Sequence, residues 1–299
     1  MDHAGSTFLC GCVADSEMIF FAKSLDRLVE QGTENSSFFM MYDGEWYKYK
    51  FAGAWSAISM ATIKPSGKDR TVVAISPRGA YWEVAPKAIR ETHNEIKEWG
   101  NPLRALATVG DSIYACGMGR TVMRRRGPGA WEEMGPGTLD SDEGEIVGFE
   151  DLAGFAENEM YAVGWRGEIW RFANRRWRRL DSPVSGNLNA VCCGGDGRVY
   201  VVGDDGTMLR GRNEVWEVLR TDRMDNLMDV AFHQDMVYVA TDFEILKLEG
   251  DLLSAEEAFV DPEDPPATCL HLLEAADGLI SLGTKDLFRL RNAVWERLV

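Results

Sequence analysis

The sequence has few of the residues on which metal and nucleophilic catalysis depend. It contains only four histidines and six cysteines, and none forms a C-x-x-C or H-x-x-x-H pair, so a zinc site is not indicated. A Gly-x-Ser-x-Gly elbow and a P-loop are also missing. His233 and His271 lie within or just after predicted inner strands, where a structural histidine is the favoured interpretation. The sequence therefore predicts a protein without enzymatic activity and without a metal or other cofactor.

Long apolar runs are absent as well. No stretch approaches the roughly 18–20 residues that span a bilayer. The first five residues lack the basic segment that precedes the apolar run of a signal peptide. The six cysteines lie in apolar, strand-like surroundings, which favours buried free thiols in a reducing compartment. These features predict a soluble, cytoplasmic protein that has no membrane partner.

Basic residues are outnumbered, because 32 Lys and Arg stand against 48 Asp and Glu, for a formal net charge of −16. Such a field repels nucleic acid, whose phosphates need cationic partners. It would attract and steer a basic protein. Solubility alone is the alternative interpretation of the charge. We therefore expect a basic protein partner and no nucleic acid.

Four short β-type runs, separated by turns rich in glycine, aspartate and asparagine, recur along the chain. In the clearest unit these runs, named a to d, cover residues 188–193, 197–203, 206–210 and 215–219. Blades of a β-propeller repeat at about 40–50 residues, whereas helical repeats would show an apolar period of 3.6 residues. Here the end of run b recurs every 37 to 47 residues, at Gly117, Gly164, Gly203, Ala240 and Gly283.

The repeat predicts an all-β fold, a β-propeller of four-stranded antiparallel blades. Five units are clear from residue 103 onward, and two weaker units fill the first hundred residues. We expect seven blades, with six or eight as alternatives, because the boundary around residues 85–102 is ambiguous. Run d of the second blade is expected near Trp99. The predicted blades cover residues 6–52, 53–101, 102–136, 144–182, 187–220, 226–262 and 267–299.

A tryptophan recurs in run d, the outermost strand of a blade. A large aromatic side chain there can pack against the neighbouring blade and shield the exposed edge. A ladder of aromatic rings that binds a ligand is the alternative. Packing is favoured, because the spacing of these residues follows the structural repeat. The tryptophans concerned are Trp46, Trp131, Trp177, Trp216 and Trp295, with Trp99 as a looser match.

The units have the form apolar-Tyr-apolar-apolar-Gly, then Gly-x-apolar-apolar-Arg, then Trp-x-x-Leu. This form resembles the bacterial propeller repeats grouped as YVTN/BNR-like or WD-repeat-like, and photosystem assembly factors share it. The resemblance covers residues 103–299. It implies the propeller fold and leaves the function open, because propellers host many unrelated activities.

Acidic residues concentrate in the d–a connections between blades and in the b–c turns within blades, which share one face of a propeller. The tips of the b–c turns also vary from blade to blade, as in a recognition surface made of loops. Solvated polar loops are the alternative interpretation. The candidate partner-binding residues are Asp140, Asp142, Glu143, Glu145, Trp165, Arg166, Asp204, Asp205, Asp242, Glu256, Glu257, Asp261, Glu263 and Asp264.

Two functions fit these patterns. The first is a non-catalytic immunity protein, monomeric by itself, which binds a basic secreted bacterial toxin with its acidic loops and blocks it. The second is a hydrolase or lyase of the sialidase or lactonase type, centred on the channel of the propeller. The polarity of the channel lining distinguishes the two, because an enzyme needs converging ionisable groups there.

Overall fold

The computed structural model describes residues 5–15, 17–86, 90–95, 100–139, 144–275 and 278–299. Within these residues the chain forms seven four-stranded antiparallel sheets, which are the blades of a β-propeller. The predicted fold class and blade number are therefore confirmed. A one-turn helix α1 (Asp26–Val29) and a 3₁₀ turn (Trp165–Gly167) lie between strands.

The first three blades contain strands β1 to β12. Blade 1 has β1 (Ser6–Asp15), β2 (Met18–Leu25), β3 (Ser36–Tyr42) and β4 (Glu45–Gly53). Blade 2 has β5 (Ser59–Ile63), β6 (Thr71–Ile75), β7 (Ala80–Ala85) and β8 (Arg90–Glu95). Blade 3 has β9 (Leu103–Val109), β10 (Ser112–Gly117), β11 (Thr121–Gly127) and β12 (Ala130–Glu133).

The remaining four blades contain strands β13 to β28. Blade 4 has β13 (Phe149–Ala156), β14 (Glu159–Gly164), β15 (Ile169–Ala173) and β16 (Arg176–Leu180). Blade 5 has β17 (Leu188–Cys193), β18 (Val199–Gly203), β19 (Met208–Arg212) and β20 (Val215–Leu219). Blade 6 has β21 (Asp229–His233), β22 (Met236–Ala240), β23 (Ile245–Glu249) and β24 (Leu252–Ala255). Blade 7 has β25 (His271–Ala275), β26 (Gly278–Leu282), β27 (Leu287–Arg291) and β28 (Val294–Arg297).

The second blade differs from the prediction at its outer strand. This strand, β8, covers Arg90–Glu95 and pairs with β7 from Ala80↔Glu95 to Ala85↔Arg90. It is therefore closer to β7 along the chain than the expected position near Trp99, which lies outside the described residues. The sequence of β8, Arg-Glu-Thr-His-Asn-Glu, has neither an apolar alternation nor a tryptophan, so the repeat pattern could not locate it.

Each blade packs against both of its neighbours through a layer of buried apolar side chains. The described residues form seven such clusters, one at each blade interface, including the interface between blades 7 and 1. Burial of one large apolar side chain contributes about 1.5–3 kcal/mol. The ring is thus held by the repetition of one kind of contact rather than by a single central core.

The tryptophans of run d belong to these interfaces. Trp216 of blade 5 meets the ring edge of Tyr161 of blade 4, with the ring centroids 6.0 Å apart. Trp295 of blade 7 meets Tyr238 of blade 6 in the same way, also at 6.0 Å. In both cases the outer strand of one blade packs through its tryptophan against the second strand of the preceding blade. This confirms that these tryptophans serve packing between blades.

The recurring glycine at the end of run b allows a close approach of two backbone segments. A Cβ atom on Gly203 would lie 2.2 Å from the carbonyl oxygen of Asn187, at the end of the incoming d–a connection. A Cβ atom on Gly164 would lie 2.1 Å from the carbonyl oxygen of Gly148. Glycine therefore stands at these positions because a side chain has no room, and the turn itself begins after it.

The ring closes without an exchanged strand, because blades 1 and 7 are each built from four consecutive strands. The Phe8 N–H donates to the Thr284 carbonyl across the junction at 2.9 Å. Lys285 Nζ lies 2.6 Å from Asp26 Oδ2. Within the described part of the chain, no helix has the length and apolarity needed to cross a membrane.

Candidate functional site: the channel and the loop face

The seven a strands surround a central channel of about 500 Å³. Each a strand lies beside the a strands of the two neighbouring blades. Most lining side chains are small or apolar, but three carboxyl groups also line the channel, those of Asp151, Asp229 and Glu274. The sequence did not point to these three residues.

All three carboxylates join neighbouring blades, two of them in the same way. Asp151 of blade 4 accepts the N–H groups of Leu152 at 2.8 Å and of Val191, in blade 5, at 2.9 Å. In blade 6, Asp229 accepts the N–H of the following residue and, at 2.8 Å, that of Leu272 in blade 7. Asp151 and Asp229 therefore each clamp the inner strand of the next blade with both oxygen atoms engaged. Glu274 of blade 7 instead accepts the N–H of Phe232 in the preceding blade, at 3.3 Å.

The same clamp occurs a third time with a hydroxyl group. Ser59 of blade 2 accepts the N–H of Leu106 in blade 3 at 2.9 Å. Ser59, Asp151 and Asp229 occupy corresponding positions near the start of their a strands. These clamps consequently join blade 2 to blade 3, blade 4 to blade 5 and blade 6 to blade 7. An alignment of the a runs with one another shows Ser or Asp at this position, and this pattern could have identified the clamps from the sequence.

Burial changes the ionisation of the channel groups. It raises the pKa of Asp151 to about 7 and that of Asp229 to about 8, although the hydrogen bonds from backbone N–H groups act in the opposite direction. Burial lowers the pKa of His271, whose Nδ1 lies 4.0 Å from Asp229 Oδ2. No three His, Cys, Asp or Glu side chains of the described ranges are grouped so as to hold a metal ion.

The b–c turns and the d–a connections form one side of the ring, here called the loop face. Three candidate residues, Asp140, Asp142 and Glu143, fall outside the described residues. Glu145 forms an ion pair with Arg166, in the 3₁₀ turn of blade 4. The backbone N–H of Arg166 also donates to Asn187 Oδ1, at 3.1 Å. These contacts fix the shape of the loops, and the Glu145–Arg166 pair is about half exposed.

Trp165 occupies the first position of the same turn. Its indole Nε1 donates to Glu150, a residue of the inner strand β13. Arg104 of blade 3 lies 3.4 Å from the same carboxylate. The Trp165 side chain is thus oriented by a hydrogen bond toward the inner strand, and it is only partly exposed.

The two aspartates of the turn in blade 5 differ in their roles. Asp204 accepts hydrogen bonds from the amide nitrogens of Asn187 at 3.2 Å and of Asn189 at 3.0 Å. This side chain therefore stabilises the turn. Asp205 has a left-handed backbone with φ 53°, its N–H donates to Asn226 Oδ1 at 3.2 Å, and its side chain points to solvent.

The connection from blade 6 to blade 7 contains both structural and exposed acids. Glu256 is only 8% exposed, and its Oε1 accepts the N–H groups of Glu257 and Ala258 at 2.8 and 2.9 Å. Its carboxylate is used by the fold and is not presented to a partner. Asp264 is paired with Arg297 at 2.6 Å.

The remaining acids of this connection lie at the surface. Asp261 accepts the N–H of Glu263 at 3.0 Å, and both side chains are exposed. Five exposed acids among the candidate residues form no ion pair with any residue that the structure describes: Asp205, Asp242, Glu257, Asp261 and Glu263.

Several large apolar side chains of the described residues also protrude from the loop face, and the sequence prediction missed the two most exposed of them. Met224, in the connection between blades 5 and 6, is 82% exposed, and Phe243, in the b–c turn of blade 6, is 69% exposed. An apolar residue flanked by charged residues at a turn tip was the available signal. The prediction selected acidic residues and the turn tip of Trp165 and Arg166, and it did not use this pattern.

A comparison with curated proteins finds a relative along almost the whole chain. The immune protein Tsi7 of Pseudomonas aeruginosa strain PAO1 is 39% identical over 304 residues, which covers 97% of this chain and 96% of the relative. The chain belongs to the Tsi7 family. The description of this relative matches the immunity function that the sequence predicted. No family model matches the chain, and its resemblance to YVTN/BNR-like repeats stays a prediction.

Solved structures similar to this Tsi7-family chain are propellers of low sequence identity. YCF48 bound to D1 peptide has a TM-score of 0.71 at 15% identity, over 96% of this chain and 94% of that one. YCF48 from Cyanidioschyzon merolae has a TM-score of 0.67 at 11% identity, over 96% of both chains. At this identity the likeness supports the fold alone.

Proposed function

We propose that this protein is a non-catalytic immunity protein that binds a basic bacterial toxin with its loop face and blocks it. Membership of the Tsi7 family is the observation that carries the immunity function. The charge of the loop face is the basis for a basic partner. The unpaired candidate acids lie on b–c turns and d–a connections of blades 5 to 7, so they can face one partner together.

Electrostatic complementarity explains how such a face would act. Acids already paired with arginine, as in the Glu145–Arg166 pair, contribute little net field. Exposed acids without a cationic neighbour attract a basic protein from a distance, which raises the association rate. The three candidate residues outside the described ranges, Asp140, Asp142 and Glu143, belong to the same d–a connection as Glu145 and to the same proposed surface.

The channel supports a structural role for its carboxylates. Asp151 and Asp229 each use both oxygen atoms to hold backbone N–H groups, so neither is free to act as a base on a substrate. The six cysteines are free thiols, and five of them are buried. Such thiols are typical of a reducing compartment. We accordingly place the protein in the cytoplasm of the producing cell, as a monomer that forms a complex with the toxin.

A binding experiment with charge variants tests this proposal. The purified protein is titrated against the secreted toxin encoded beside its gene, by surface plasmon resonance at two salt concentrations. The test variant combines Asp205→Asn, which suits the left-handed backbone, with Asp242→Lys and Glu263→Lys. We expect the association rate to fall at least about tenfold and its salt dependence to become shallower, because rim charges act mainly on association.

The matched control changes acids of the opposite face. Glu45→Lys and Asp111→Lys alter the net charge by nearly as much, but these exposed residues lie at a c–d turn and at an a–b turn. The control should bind like the unchanged protein. Absence of binding by the unchanged protein would contradict the immunity function. Equal weakening of both variants would contradict the loop face as the site.

A further inference from the structure

The most exposed large apolar side chain of the described residues is that of Met224, on the loop face. Phe243 protrudes from the neighbouring b–c turn of the same face. Two such side chains in water forgo the stabilisation that apolar burial provides. They are not part of any of the seven interface clusters of the ring. The fold therefore does not account for their presence.

Ion pairs join the two loop segments that carry these side chains. Arg223 pairs with Asp225 at 2.8 Å and also contacts the carboxylate of Glu244. Met224 lies between the two partners of the first pair, and Phe243 immediately precedes Glu244. These ion pairs thus join the connection between blades 5 and 6 to the b–c turn of blade 6, with one apolar side chain on each part.

Hydrogen bonds hold both segments in position. The Thr221 hydroxyl donates to the Gly206 carbonyl at 2.7 Å, and the Gly206 N–H donates to the Asp225 carbonyl at 2.9 Å. In the turn, Thr241 Oγ1 accepts the N–H groups of Phe243 at 3.2 Å and of Glu244 at 3.0 Å. The apolar pair is therefore presented by braced loops, which lowers the entropic cost of ordering them in a complex.

The charges around the pair indicate the chemistry of its partner. Asp242 directly precedes Phe243, and Asp205 lies on the adjacent b–c turn of blade 5. Both are exposed and form no ion pair within the described part of the chain. Stable protein interfaces have an apolar centre inside a polar, solvent-accessible rim, with aromatic residues and methionine enriched. Met224 and Phe243 with the acids beside them reproduce this arrangement.

We propose that Met224 and Phe243 form the apolar centre of the toxin-binding surface, and that the toxin offers an apolar recess bordered by lysine or arginine. This inference rests on the proposed immunity function and names the part of the loop face that carries most of the affinity. In the complex the two side chains fill the recess, and the acids pair with its basic border. The apolar centre then governs dissociation, whereas the acids govern association.

Single substitutions to alanine test the inference with the same toxin. We expect Phe243→Ala to weaken binding about 30-fold, which is the effect of a typical hot-spot residue, and Met224→Ala to weaken it by a smaller factor. The loss should appear mainly in the dissociation rate and should not depend on salt, unlike the loss caused by Asp242→Lys. Phe243→Leu, which keeps an apolar side chain, should restore most of the affinity.

Val215→Ala is the matched control. The side chain of Val215 is 76% exposed, a fraction similar to those of the two test residues. It lies on the outer strand β20, away from the loop tips. This variant should bind with unchanged rates. All three variants should unfold at the temperature of the unchanged protein, because the side chains that they shorten face solvent.

The outcomes separate this inference from the function on which it rests. If the unchanged protein does not bind the toxin, both are wrong. If the unchanged protein binds and the variants Phe243→Ala and Met224→Ala bind as tightly as it does, the immunity function stands and the apolar centre is wrong. A loss of affinity that is confined to association and vanishes at high salt would also contradict the apolar centre.

Discussion

A buried ion pair between blades 3 and 4 gives a quantitative test of how the ring is held together. The guanidinium of Arg120 makes two hydrogen bonds of 2.6 Å to the carboxylate of Glu168, and the two side chains are 0% and 2% exposed. The Trp170 indole donates to the same carboxylate at 2.9 Å. Burial alone would raise the pKa of Glu168, but these hydrogen bonds and the Arg120 charge hold it below its ordinary value.

Glu168→Gln removes the negative charge while nearly preserving the shape of the side chain. The Arg120 guanidinium then remains buried without its carboxylate, and breaking a buried pair on one side costs about 3–5 kcal/mol. The unfolding entropy of a chain of this length is roughly 0.6 kcal/mol per degree, at about 2.1 cal/mol/K per residue. We therefore expect the melting temperature to fall by about 5–8 °C in differential scanning calorimetry.

A surface pair provides the matched control for this substitution. Arg178 and Glu214 also form an ion pair between neighbouring blades, but the side chains are 53% and 54% exposed. Because water screens such a pair, Glu214→Gln should cost less than about 1 kcal/mol, or a melting shift below about 2 °C. Equal shifts for the two Glu→Gln variants would refute the claim that burial makes the Arg120–Glu168 pair important.

Two further predictions concern the inner part of the ring. Gly203→Ala should destabilise the fold by about 1–3 kcal/mol in urea denaturation, because the new Cβ would collide with the Asn187 carbonyl. Gly186→Ala is the control and should be nearly neutral, because no atom lies within 4 Å of its new Cβ. Because burial raises the pKa of Asp229 to about 8, the folded protein keeps a proton that the unfolded chain loses near pH 4. The contribution of this group to the free energy of unfolding should fall as pH rises from about 4 to 8. Asp229→Asn should make this decline of the unfolding free energy with pH shallower, whereas Asp205→Asn should leave it unchanged. Equal slopes for the two variants would contradict a raised pKa of Asp229.

The sequence was sufficient for the blade number, because the features that repeat are local. Run b is a continuous apolar stretch that ends where the chain passes close to another backbone segment, so glycine recurs there, as at Gly164. The tryptophan of run d recurs in five blades because the interfaces of those blades place a large side chain there, as with Trp216. The exception is β8, whose polar residues carry no repeat signal, so its position depended on pairing with β7.

The binding surface was predictable in part. The order of the runs placed Asp205 and Asp242 on the loop face, which is the proposed binding surface. Sequence could not separate Glu256, which is buried by its own hydrogen bonds, from its exposed neighbour Glu257. The clamp of Asp151 was not identified, because the Val191 N–H that it holds lies 40 residues away in the next blade, and only an aligned comparison of the a runs pointed to it.

In the proposed arrangement, stability and recognition depend on different parts of this molecule. The interface clusters, the buried Arg120–Glu168 pair and the carboxylate clamps of the channel all join one blade to the next. Phe243 and Asp242 contribute to none of these contacts, because their side chains face solvent. Substitution of such residues therefore changes what the protein can bind at almost no cost in unfolding free energy. It follows that loss of toxin binding at an unchanged melting temperature is the signature expected of a true interface residue, whereas a residue of the ring should lose both together.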